Sequence, residues 1–287
     1  MNNFWLVIVS IIIAHAPSQK VGAANPTVEY HPYIASLEAV SPDENNGNTS
    51  TLHCTGFIVS QLHAVFSCLC VKTKSNLDLR VRVGSDSEDK GTLIGTKNYT
   101  CHDEYSRYVF TKNDIAVVEL ATPVTFGPNI QKIGVCDKLL GPDETPASPF
   151  AVTFKLRYLQ TPTNGSDNPG PAFRPVEYPV MSKNQCKSEF EGIFSAAGSP
   201  YNARSLLENQ MCTGNSPRDG QNNQPAGRPI FHGGRGSPLV VGGAGGAKCV
   251  IGLDNPADMA IHGQPFPRVF EEAAVHRSWI GSLVGFG

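Results

Sequence analysis

The side chains best equipped for covalent or metal chemistry in this sequence are its eight cysteines and eight histidines. A hydrolytic nucleophile needs an imidazole to take its proton and a carboxylate to orient that imidazole. Cys68 has no such base beside it, and His63 and His102 read as loop residues. No C-x-x-C pair or Cys/His spacing of the zinc type occurs, so no metal is expected. An even cysteine count suits a disulfide framework in an oxidising compartment, where a bridge is the expected fate of Cys68 rather than a reactive thiolate.

The rest of the chain reads as secreted. Phe4 to Ala14 is an almost unbroken apolar run, followed by the small-residue pattern Ala14-His15-Ala16. That is the form of a signal peptide over residues 1–16, with cleavage as late as residue 24 as the alternative. The run is shorter than the roughly 20 apolar residues that span a bilayer, so no membrane anchor is expected. Sequons at Asn48, Asn98 and Asn164 lie in stretches that read as surface loops. Lys plus Arg number 23 and Asp plus Glu 25, for a net charge of −2, and no basic cluster stands out. Neither nucleic acid nor an anionic membrane surface is therefore an expected partner.

Short β segments separated by Gly, Pro and Asn must position whatever chemistry there is. Leu77 to Val83 alternates apolar and charged residues, as a half-buried strand does. Phe57-Ile58-Val59, Ile115 to Leu120 and Leu239-Val240-Val241 are apolar runs typical of strands inside a barrel. One helix stands apart, over Glu271 to Val284, with Val275, Trp279 and Leu283 on one face and Ile280 and Val284 beside them.

Three stretches, in this order, resemble the landmarks of the chymotrypsin/trypsin (peptidase S1) family of serine proteases. Cys54 to Cys70 (CTGFIVSQLHAVFSCLC) resembles that family's C-G-G-S-L-I-S…T-A-A-H-C segment. Asn113 to Leu120 (NDIAVVEL) is similar to its N-D-I-A-L-L-x-L strand, and Gly233 to Val240 (GGRGSPLV) to its G-D-S-G-G-P-L-V loop. His31 to Leu37, Val250 to Leu253 and Ser278-Trp279-Ile280 agree with flanking family segments. The resemblance implies an all-β fold: two antiparallel six-stranded Greek-key barrels, about 27–140 and 141–270, and a C-terminal helix over 271–284. The protease-like domain would span 20–287.

Carried over residue by residue, the resemblance implies that the catalytic machinery is degenerate. Leu69 stands where the imidazole should be and Arg235 where the serine should be, leaving Asp114 alone of the triad. Leucine exchanges no proton, and a guanidinium stays protonated and is no nucleophile. Gly234 replaces the acid that pairs with the newly cut N-terminus, whose I-V-G-G becomes Lys20-Val21-Gly22-Ala23. Pro229 occupies the floor of the specificity pocket, and Asn255-Pro256-Ala257 its wall. His232 lies near the lost serine without a nucleophile to serve.

A buried Asp114 without imidazole would need other partners. The plainer reading, and the preferred one, is backbone N–H bonds at the strand start, with Asn255 donating to the carboxylate. The sharper reading has Arg235 reach across to pair with Asp114 while Leu69 fills the imidazole space. For the cysteines, the resemblance implies Cys54–Cys70 and Cys186–Cys212. Cys68, Cys101, Cys136 and Cys249 then allow three pairings, of which Cys68–Cys101 with Cys136–Cys249 is preferred.

The expected function is a secreted, catalytically inactive protease homologue that works by binding an extracellular protein through its barrel surface and loops. Residues 42–52, 159–175 and 215–229 are the longest unusual loops. No cofactor or small-molecule ligand is implied. An active secreted endopeptidase is the alternative.

Overall fold

A computed structural model describes residues 31–42, 48–85, 90–107, 111–137, 150–157, 172–198, 203, 208–214, 235–242, 248–255 and 267–285. The signal-like run, the barrel boundaries expected near 27 and 140, and residues 215–234 lie outside the described residues.

Alternation builds the first barrel. Strands β1 (Ile34–Pro42), β2 (Asn48–Ile58), β3 (His63–Phe66), β4 (Asp78–Val83) and β5 (Thr92–Cys101) are joined by β8 (Ala116–Leu120). They close in the order β1-β2-β3-β8-β5-β4. In β4 the apolar set Leu79, Val81 and Val83 points inward, while Asp78, Arg80 and Arg82 point away from the core. Between β5 and β8 a two-stranded ribbon forms from β6 (Ser106–Arg107) and β7 (Thr111–Lys112). A short helix, α1 (Cys68–Thr73), plugs the end of the barrel with Cys68, Cys70 and Val71 buried.

The second barrel runs β11-β10-β13-β14-β15-β12, and the parallel strand β9 (Gly134–Val135) adds to β14 as a seventh member. Its other strands are β10 (Phe150–Arg157), β11 (Ala172–Pro179), β12 (Gln210–Thr213), β13 (Pro238–Gly242), β14 (Lys248–Asp254) and β15 (Arg268–Glu272). A bridge between Val180 and Thr213 joins the two ends, with Met181 N–H donating to Cys212 O at 3.0 Å. Helix α2 (Lys183–Ala196), capped by Ser182, follows β11.

An apolar seam joins the barrels. Phe57, Val65, Ile115 and Val117 of the first half pack with Val240, Val250 and Leu253 of the second and with Ile280. The C-terminal helix begins later than its periodicity suggests. Glu271 and Glu272 belong to β15, a 3₁₀ turn spans Ala273–His276, and α3 is Arg277–Val284. The packed side is also rotated: Ala273, His276 and Ile280 are buried, whereas Leu283 is exposed. A helical wheel cannot register that the first two residues are claimed by pairing with β12 and β14.

In the loop expected over 42–52 the described residues are sheet: Pro42 ends β1 and Asn48 to Leu52 extend β2 against it. Residues 172–175 of another expected loop likewise lie in β11. Asn98 is on β5 beside a bulge, with an exposed side chain, and His63 opens β3; neither is in a loop. Polar side chains on the exposed face of a strand and in a loop look alike in sequence.

His31 sits at the start of the seam, its Nδ1 3.1 Å from the Tyr33 hydroxyl. Burial, helped by the Lys248 ammonium, holds its pKa down to about 4 from 6.5. The unfolded chain therefore binds one more proton than the folded one between these values. Stability from this group is full above about pH 6.5 and falls as pH drops towards about 4. Urea midpoints measured across that range should decline less steeply in His31→Asn than in the parent; parallel declines would count against the assignment.

Candidate functional site

Asp114 is positioned by an unusual backbone. Asn113, just before it, has a φ of 50°, in the left-handed region that most side chains avoid. The Asn113 side chain is held at both ends: it donates to Glu104 O at 3.1 Å and accepts from Asn209 Nδ2 at 3.1 Å. The kink turns Asp114 inward, where it is 1% exposed.

The carboxylate meets the start of α1. Ser67 Oγ–H donates to Asp114 Oδ2 at 2.8 Å, and the Leu69 backbone N–H to Oδ1 at 2.8 Å. Ser67 is also the helix N-cap, accepting from Cys70 N–H. One hydroxyl thus serves both the cap and the carboxylate. Disulfides hold the helix end in place: Cys54–Cys70 ties it to β2, and Cys68–Cys101 ties it to β5. The remaining cysteines form Cys136–Cys249 and Cys186–Cys212, the first linking the segment after β9 to β14.

Arg235 approaches from the other barrel. Its Nη1 lies 3.2 Å from Asp114 Oδ2 and 3.0 Å from Asn255 Oδ1. The side chain is 14% exposed against 0% for Asp114, so the ion pair is largely out of water. Its backbone is pinned as well. Thr55 N–H donates to Arg235 O at 3.1 Å, and Gly236 N–H to Asp254 O at 2.7 Å. Gly236 has a φ of 77°, and a Cβ there would fall 2.5 Å from Thr55 O, so only glycine fits. Leu69, 9% exposed, lies at the same helix end.

The structure therefore brings together Leu69, Asp114 and Arg235, separated by as many as 166 positions in the chain (235 minus 69). The preferred sequence reading needs correcting in two respects. Backbone N–H donation is present, but the Arg235 ion pair exists beside it. Asn255 does not donate to Asp114. Its Oδ1 accepts from Arg235 and from Thr111 Oγ–H at 2.6 Å, and its Nδ2 donates to Thr111 O at 3.0 Å. A carboxamide between a guanidinium and a hydroxyl orients its oxygen to both donors. Gly234, Pro229, His232 and Asn164 lie outside the described residues, and Asn48 is the first residue of β2.

Sequence reasoning passed over a neighbouring buried pair. Glu271 on β15 is 0% exposed and lies 2.8 Å from His276 Nε2. Burial raises the Glu271 carboxyl above its usual range, opposed by the hydrogen bond and charge of His276 and by the Asp114 backbone N–H, while the Asp114 charge nearby adds to the rise. The His102 ring packs edge-on to His276 at 5.0 Å and against Trp279 at 5.1 Å. Burial and His276 both lower the His102 pKa. Only the two adjacent acids ahead of a histidine in an apolar segment marked this place in the sequence.

Chemically, the Asp114 set holds charge rather than relays protons. Both carboxylate oxygens are occupied by donors, Arg235 is a permanent cation, and Leu69 contributes only a backbone N–H. No group of three or more His, Cys, Asp or Glu among the described residues is arranged to hold a metal ion.

Comparison with known proteins gives a consistent outcome. A family model described as Trypsin matches residues 20–280. Hypodermin-B of Hypoderma lineatum is 25% identical over 230 residues, 79% of this chain and 76% of its own. Trypsin alpha of Drosophila melanogaster is 25% identical over 264 residues, 91% of this chain and 86% of its own. A solved structure described as "Structure of GrC" superposes with a TM-score of 0.60 at 16% identity, covering 91% of this chain and 98% of that one.

Removing the guanidinium leaves a buried carboxylate short of its cation, which typically costs about 3–5 kcal/mol. Arg235→Met should therefore destabilise the fold by roughly 3 kcal/mol, and Asp114→Asn in the same chain should recover part of that loss. Urea unfolding of the four members of this cycle checks it. Additive effects would mean that the pair is not coupled.

Proposed function

The chain belongs to the trypsin-like serine protease family, and we propose that within it the protein has kept the framework for binding and given up peptide-bond cleavage. The observation that carries this reading is the Arg235–Asp114 ion pair, with Leu69 at the same point. The motif resemblance sets Leu69 in the place of the imidazole and Arg235 in that of the serine. Arg235 then spends the surviving carboxylate on an internal salt bridge. Acyl transfer needs a nucleophile that loses a proton and a base that accepts it, and neither residue can take those roles.

The working surface is that of an extracellular protein that binds another protein, as a cofactor, decoy or regulator of proteolysis or defence. Four disulfides support an oxidising compartment, and the apolar N-terminal run supports export. Among the described residues no helix is long and apolar enough to cross a membrane. Sugars on Asn48, Asn98 and Asn164 belong to the same reading.

An active endopeptidase is the rival, favoured by relatives that are named trypsins. A serine-directed fluorophosphonate separates the two: the purified secreted chain should label no more than a heat-denatured control. Labelling of the native chain alone, mapped to one serine, would sink the proposal. Leu69→His with Arg235→Ser should also stay at least about 10⁴-fold below an active protease in peptide turnover. Gly234 and Pro229 would still lack the activation acid and the pocket floor. Robust turnover by that double variant would show that the supporting residues matter less than argued.

A further inference from the structure

Directly before Asp114, the left-handed Asn113 borders a polar cavity of about 300 Å³. Glu104, Lys112 and Asn113 line it from around the β6–β7 ribbon, Asn209 and Gln210 from the entry to β12, and Glu271 from β15. Glu208 lines it as well. Among the described residues no aliphatic or aromatic side chain contributes to it.

Two of these residues are buried and unfinished. Gln210 is 3% exposed and Glu271 0%. Gln210 Oε1 and Glu271 Oε2 have no hydrogen-bond partner among the described residues. Their other atoms show which way they face. Gln210 Nε2 donates to Thr111 O at 2.7 Å, which fixes the amide so that its oxygen is the free end. Glu271 Oε1 is taken by His276 at 2.8 Å. A buried acceptor left unmet costs folding free energy, and here two border one cavity. Both ask for a donor.

Charge narrows the occupant. Among the described residues three carboxylates line the cavity against one ammonium, Lys112, which sits 4.0 Å from Glu208 with both groups well exposed. An anion would be repelled and a neutral donor would leave the excess charge unanswered. Shape narrows it further. A guanidinium fork seeks two oxygens of one carboxylate, and Glu271 has only one to give. Separate single acceptors on different strands suit a compact cation with three rotatable N–H donors.

We propose that this cavity binds a primary ammonium group, either the head of a lysine side chain from a partner protein or a free alkylamine. The ammonium donates to Gln210 Oε1 and Glu271 Oε2, while Glu208 and Glu104 draw it in. The site stands apart from the question of catalysis: it uses neither Leu69 nor Arg235, and an active enzyme would present it equally.

Isothermal titration of the full secreted chain with three probes tests this, at matched ionic strength: n-butylammonium, Nα-acetyl-lysinamide and tetramethylammonium. The two primary ammonium probes should bind saturably with one site, and tetramethylammonium, which has no N–H, should not. Gln210→Met should weaken binding about tenfold. If that variant fails to fold by circular dichroism, Glu208→Gln serves instead and should weaken binding about threefold. Tighter binding of Nα-acetyl-lysinamide than of n-butylammonium identifies a lysine side chain as the source; the reverse order identifies a free amine. The proposal is overturned if neither primary ammonium binds. It is also overturned if tetramethylammonium binds as well as they do, or if the folded variant binds like the parent.

Discussion

A carboxylate taken wholly out of water must be met by donors, or its solvation loss of several kcal/mol falls on the fold. Asp114 is such a group, and much of the centre of the molecule can be understood as answering it. One donor is the hydroxyl that caps α1, one is the backbone of Leu69 in that helix, and the third is Arg235 from the opposite barrel. The left-handed Asn113, the Cys68–Cys101 bridge and the glycine-only turn at Gly236 each fix one of the elements that supply these donors. The ion pair also crosses the barrel interface, so the charge that needs burial compensation helps register one half against the other.

Other buried acids follow the same rule with different partners. Glu38, 1% exposed on β1, meets Arg82 of β4 through two N–H donors and Ser50 through a hydroxyl. Asp254 on β14 meets Arg268 at the start of β15, and Glu272 meets Lys183 of α2 at 2.5 Å. In each case a cation from a separate element brings its charge to a buried carboxylate. Glu271 departs from this pattern. Its partner His276 covers one oxygen only, and the other borders the cavity beside Asn113.

Legibility differed by element. Strand β4 was readable because its alternation survives whole, and Leu79, Val81 and Val83 point to the core as the period of two requires. The terminal helix was readable in kind but not in phase. Glu271 and Glu272 look like a charged helical start, yet they are strand residues with buried side chains, each held by a cation or imidazole from elsewhere. Within the loop expected over 42–52, Asn48 to Leu52 were misread because Asn, Thr and Ser favour turns locally, while pairing with a neighbouring strand overrides that preference; residues 172–175, the end of the loop expected over 159–175, pair with β10 in the same way. Asn255 was placed near the right atoms with the wrong bond. Which end of a carboxamide faces a neighbour depends on donors that are remote in sequence.

By itself the sequence determined the family, the two-barrel plan, the cysteine content and the types of residue standing at Leu69, Asp114 and Arg235, because motif order and residue chemistry are local properties of the chain. Only the tertiary structure decided that Arg235 reaches Asp114, that Cys68 joins Cys101 and Cys136 joins Cys249, and that Gln210 and Glu271 turn unpaired oxygens to one cavity. Each of these depends on the distance between segments far apart in the chain. That distance is set by how the apolar seam of Phe57, Ile115, Val240 and Leu253 closes the barrels on each other, which no local pattern encodes.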